Sequence, residues 1–169
     1  MNLSDPSPSK TKLLPTPILI SAAAALLIVD QWTKRLVFTH LEPGAVKPVL
    51  PFFNLTHVLN TGASFGMFQD SNRAFIGMTV LILVVLAFLH RRIEREGRWS
   101  SLGLALLWGG ALGNLVDRIR MGAVVDFLDF HWAENHFPSF NAADSAITVG
   151  VALMFLQNLI RARNQNLSR

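Results

Sequence analysis

Cysteine is absent from the 169 residues, which excludes disulfides, thiolate nucleophiles and Cys-type zinc sites. Charge is scarce as well. Only 15% of residues are Asp, Glu, Lys or Arg against 51% hydrophobic, and the charged ones are bunched between long uncharged runs. A soluble surface disperses its charges, so this distribution describes a small polytopic membrane protein. Two catalytic signatures are also missing, HExxH for zinc and G-x-S-x-G for a serine nucleophile. His40, His57, His90, His131 and His136 share no helical face, and His131 and His136 read as loop residues. No internal repeat is visible. The net charge of +4 does not indicate nucleic acid, because the bases flank apolar runs and set topology instead.

What is present is a series of apolar runs. The length suits one domain, residues 1–169, with about four spans. Met1 to Pro17 is polar and proline-rich, a flexible cytoplasmic lead. Ile18 to Val29 begins the first run, and Asp30, Gln31, Lys34 and Arg35 interrupt a pattern that continues to Phe38. A cleavable signal peptide is the rival reading, since Ala22 to Ala25 offers an A-x-A site, but the preceding run is short for one. Ala74 to Leu89, Ser100 to Val116 and Ser145 to Ile160 supply the other runs, and 164–169 is a cytoplasmic tail. Each run is shorter than the roughly 20 residues that cross the hydrocarbon, so each helix is expected to extend into its polar flanks. Between the first two runs, within 39–72, Phe53, Leu55 and Leu59 alternate with Asn54, Thr56 and Asn60, and Thr61 to Ser64 reads as a turn. This predicts a small β-element. The fold class is therefore an all-α polytopic membrane protein with four transmembrane helices and a small extracytoplasmic β-element.

Nine of the fifteen bases lie on the side shared by both termini and the second connection, including Arg91, Arg92, Arg95 and Arg98. The positive-inside rule then makes both termini cytoplasmic. In that topology Asp30 and Lys34, then Asn114, Asp117 and Arg118, then Asn141 and Asp144 all fall at one depth, near the outer surface. Asn114 with Asp117 and Arg118, and Asn141 with Asp144 and Thr148, each share one helix face. Gly109 and Gly113 have GxxxG spacing; with Gly110 they serve either plain helix packing or the admission of a substrate chain.

Ionisable groups at this depth cost roughly 2.5–3.5 kcal/mol each on insertion scales, so a chain that keeps several is using them. The chemistry left is that of a carboxylate pair. Two close aspartates cannot both ionise, so one activates water while the other donates a hydrogen bond to a carbonyl. Asp126 and Asp144, each read as a junction between loop and apolar run, are the best-placed pair. Asp129 reads as a solvated loop residue, Asp117 as an ion-pair partner of Arg118 or a helix-end anchor, and Asp30 with Lys34 as an i, i+4 pair capping the first span. Asn141 is either an N-cap or a group that orients Asp144. Trp99, Trp108 and Trp132 read as interfacial anchors.

The stretches NTGASFGMF, GGALGNLVDRIRMGAVVDF and FNAADSAITVG, with DQWTK in the first span, resemble the signature segments of the lipoprotein signal peptidases, bacterial signal peptidase II. The resemblance covers most of Asp30 to Gly150 and departs at Ala142, where many members carry a larger apolar residue. It implies an inner-membrane aspartic endopeptidase with a periplasmic β-cradle that cuts diacylglyceryl-modified prolipoproteins just before the lipidated cysteine. Asp126 and Asp144 match its catalytic aspartates. Asp30, Lys34, Asn60, Gly62, Gly110, Asn114, Arg118 and Asn141 match its supporting positions. No cofactor or metal is implied; the partners are the prolipoprotein and membrane lipid, and the chain is expected to be monomeric. A proton-coupled carrier, or a non-enzymatic membrane assembly protein, is the alternative. A carrier would place its acids near the midplane and repeat its fold.

Overall fold

The computed structural model describes residues 14–62 and 71–167. The lead before Leu14, the turn residues Ala63 and Ser64 and the Phe65 to Phe68 segment lie outside them. Eight elements follow in order: α1 (Thr16–His40), β1 (Val46–Leu50), β2 (Phe53–Asn60), α2 (Asn72–Glu94), α3 (Arg98–Met121), β3 (Val124–Trp132), β4 (Asn135–His136) and α4 (Ala142–Leu167). All four helices are long and apolar enough to cross a membrane, and each runs past its uncharged core into polar flanks.

Backbone signals set the helix ends. Pro15 and Pro17 open α1, where missing N–H groups leave no intrahelical bond unmade. Gly97 precedes α3, and Gly122 ends it in the left-handed region at φ 74°, its N–H bonded to the Arg118 carbonyl.

Helix α3 is the centre of the bundle. Its apolar window is 56% buried, against 11% for α1, 6% for α2 and 22% for α4. Its buried face is built of small residues, including Ser100, Ser101, Gly103, Ala105, Gly109 and Gly110. Lipid is as apolar as leucine, so helices associate by close packing rather than by hydrophobic burial, and small residues permit it. A Cβ on Gly109 would meet the Ala23 carbonyl at 2.8 Å, and one on Gly110 the Ala143 carbonyl at 2.6 Å. The glycine cluster thus seats α1 and α4 against α3.

The sheet is antiparallel in the order β1-β2-β3-β4. It uses more of the chain than 39–72, because the stretch after α3 forms β3 along β2, pairing Val58 with Asp126 and Asn54 with Asp129. The register shifts between Leu55 and Val58, which bends the ladder. Phe140, just before α4, is clamped to β3 by hydrogen bonds with Phe127 and Leu128. Val37 of α1 packs with Val125 and Phe127, fixing the sheet to one end of the bundle.

Candidate active site

The polar residues of the three segments meet at that end. Asp126 lies within β3 rather than at a junction between loop and apolar run, and the residue is 2% exposed. Oδ1 accepts the Asn141 side-chain amide at 2.7 Å and Oδ2 accepts that of Asn60 at 2.9 Å. Asn60 is itself oriented, because its Oδ1 accepts the Gly62 N–H at 3.0 Å.

Asp144 sits in the first turn of α4, where a carboxylate complements the helix dipole. Its backbone N–H donates to Asn141 Oδ1 at 3.0 Å, and its Oδ2 accepts the Asn141 N–H at 3.2 Å. This reciprocal pair is a capping box with aspartate at its third helical position. Asp144 Oδ1 accepts the Asn114 amide at 2.7 Å. Asn141 therefore both caps the helix and joins the two aspartates, so the two roles open at the sequence level are held together.

Burial is the main force raising the Asp126 pKa, and the nearby Asp144 charge adds to it; the Asn60 and Asn141 amides and Lys34 oppose it. The result is about 7 against an ordinary 3.8. Asp126 can then hold or release its proton near neutral pH, as a group doing acid or base work requires.

Behind the pair lies a buried ionic cluster. Lys34 Nζ is 2.9 Å from Asp30 Oδ2 and 2.9 Å from Asp117 Oδ2, and donates to Asn114 Oδ1 at 2.9 Å. The i, i+4 pair thus exists, but in the interior and not as an interfacial cap. Asp30 also accepts the Ala143 N–H of α4 at 2.9 Å. Asp117 pairs with Lys34, not with Arg118 as its neighbour in sequence suggested. Arg118 reaches the Gly62 carbonyl at 3.3 Å, with its guanidinium 5.0 Å from the Phe75 ring centroid. Of the ten sequence-derived site residues, nine join this assembly directly, while Gly110 contributes by packing α3 on α4.

Gln31 was passed over by sequence reasoning. Its amide donates to Asp117 Oδ1 at 2.9 Å and to the Gly113 carbonyl at 3.2 Å. Its place beside Asp30 in a span was the available signal. Asp129 is not solvated. It is 5% exposed in β3, accepting from Asn54 Nδ2 at 2.9 Å and contacting His136 Nδ1 at 2.9 Å. His131 and His136 belong to strands, and their rings stack 4.9 Å apart. Trp132 is 82% exposed, whereas Trp108 is half-buried in the bundle.

Comparison with known proteins bears on this arrangement. The family profile described as signal peptidase (SPase) II matches residues 22–160. A protein of Geobacter metallireducens named lipoprotein signal peptidase is 41% identical over 147 residues, covering 85% of this chain and 91% of that one. Another of that name, from Burkholderia mallei, is 43% identical over 142 residues, covering 82% and 85%. A solved bacterial membrane enzyme, determined by the in meso method at 2.3 Å, superposes with a TM-score of 0.82 at 33% identity, covering 91% of this chain and 94% of that one.

Proposed function

This chain belongs to the signal peptidase II family of aspartic peptidases, and on that premise we propose that Asp126 and Asp144 are its catalytic pair. The proposed substrate is a diacylglyceryl-modified prolipoprotein, cut just before the lipidated cysteine. The observation that carries the assignment is the shared Asn141, whose amide holds Asp126 and whose backbone and carbonyl hold Asp144.

Asp144, ionised, takes a proton from a water as that water attacks the scissile carbonyl. Asp126, protonated, donates its proton to the carbonyl oxygen, giving a neutral tetrahedral diol. Collapse returns a hydroxyl proton to Asp126 and passes the Asp144 proton to the leaving nitrogen, so the C–N bond breaks into a carboxyl and an amine. Asn60 and Asn141 orient Asp126 throughout, and Asn114 with Lys34 behind it orients Asp144.

The chain is a multi-pass membrane protein. Its proposed setting is the inner membrane, as one peptidase domain acting as a monomer, with both termini cytoplasmic and the aspartates near the periplasmic face. A site at that depth meets only bonds held there. A diacylglyceryl anchor holds the scissile bond at the surface and lowers the entropy of encounter. Purified protein should cleave a lipidated precursor and leave the same precursor without its lipid intact. Equal cleavage of both would refute the lipid requirement. Reporter fusions at Glu94 should read cytoplasmic and at Glu134 external; the reverse would invert the topology.

A further inference from the structure

The opposite end of the bundle carries a second concave site. Helices α1 and α2 each pack on α3 but scarcely on one another, which leaves a trough of about 670 Å³ floored by α3. Leu19 and Ala24 line one wall, Phe88 the other, and Leu104, Trp108 and Leu112 the floor. At the mouth, where these helices end, stand Thr16, His90 and Arg91, with Ser101 buried beneath them. His90 turns to Glu94 at 3.5 Å, whereas Arg91 is exposed and has no ion-pair partner among the described residues.

Depth and charge select the occupant. From Ser101 to Leu112 the floor rises roughly 16 Å at 1.5 Å per residue, about half of a ~30 Å hydrocarbon core. The trough is therefore one leaflet deep. A transmembrane peptide needs the whole thickness, and a signal peptide brings a cationic leading end that a basic mouth repels. An acyl chain of one leaflet fits the depth, and an anionic headgroup fits Arg91. We propose that this trough binds an anionic phospholipid of the leaflet opposite the aspartates, its acyl chain along Trp108 and its phosphate at Arg91. The inference is independent of the peptidase reading.

Trp108 supplies the measurement. A full-length variant with Trp32, Trp99 and Trp132 each changed to phenylalanine leaves Trp108 as the sole tryptophan. It is placed in bilayers doped with brominated phosphatidylglycerol or brominated phosphatidylcholine, and fluorescence quenching is read against mole fraction. Phosphatidylglycerol should quench at about five-fold lower mole fraction, the share of one basic residue in attraction to an anionic lipid. Arg91→Gln, at an exposed position, should abolish that preference and Arg91→Lys should keep it. Ala24→Phe, which fills the wall, should reduce quenching by both lipids. Equal quenching by the two lipids, or a preference that survives Arg91→Gln, would reduce the site to ordinary boundary lipid. Displacement of the brominated lipid by a signal-peptide precursor would assign the trough to substrate and overturn the proposal.

Discussion

The side-chain amide of Asn141 lies 2.7 Å from Asp126 Oδ1, on a residue that also caps α4. The two duties are separable by substitution. Asn141→Ser keeps a capping oxygen but is too short to hold Asp126, whereas Asn141→Ala loses both. Alanine should lower stability by about 1 kcal/mol, the usual cost of a lost cap, and serine by much less. Both should depress turnover. Because the Asn141 amide lowers the Asp126 pKa, its removal should move the alkaline limb of the pH profile upward in Asn141→Ser. An unmoved limb would show that the amide does not act on Asp126.

Replacing Asp126 or Asp144 by asparagine should abolish cleavage, by about 10³-fold or more, in a folded protein. The double substitution should be scarcely worse than either single one, because groups acting as a unit are non-additive. Asp126 also has a stability signature. Its folded pKa of about 7 lies above the ordinary 3.8, so the native state binds the proton more tightly. That stabilisation is complete below the unfolded value and is lost as pH rises through the folded one. Thermal stability of the unmodified protein should fall from pH 4 to 7, and Asp126→Asn should remove that component.

Lys34 compensates two buried carboxylates, Asp30 and Asp117, each at 2.9 Å. Lys34→Met leaves both uncompensated and should cost about 3–5 kcal/mol in reversible unfolding. Adding Asp117→Asn to Lys34→Met should recover part of the loss. If the second change deepens it instead, the ion pair is not what couples α1 to α3.

Asp129 is a structural acid at the sheet. Burial raises its pKa, but the Asn54 and His136 contacts outweigh that and leave it below the ordinary value. Its contribution is present above the unfolded pKa and disappears as pH falls through the folded one. Asp129→Asn should lower stability at neutral pH by about 1–3 kcal/mol, the scale of a disrupted buried hydrogen-bond pair, while sparing most activity. A loss of turnover without a loss of stability would place Asp129 in the chemistry.

The four spans were legible because lipid imposes a one-dimensional rule: a helix satisfies its own backbone, and uncharged runs mark where it lies. The common depth of Asp30, Asn114 and Asp144 followed from counting bases. Position beside apolar runs pointed to Asp126 and Asp144 among the aspartates, and the motif resemblance matched the same two. Asp126 itself was misjudged as a junction residue, since the segment after α3 lacks a clean alternation and becomes a strand only by pairing with β2.

The sequence by itself determined the solvent of this protein, the number and order of its helices, and the residues available for chemistry, because those depend on composition and local pattern. Which residue partners which was decided by the tertiary structure. Lys34 could have ended its pairing with Asp30, four residues away; packing on small residues of α3 brings Asp117 and Asn114 within reach of the same ammonium. Likewise, Asp129 and Asp126 are three residues apart, yet one meets Asn54 and His136 and the other Asn60 and Asn141. The ladder register and the Phe140 clamp set those neighbours, and long-range contacts of that kind leave no local trace in the chain.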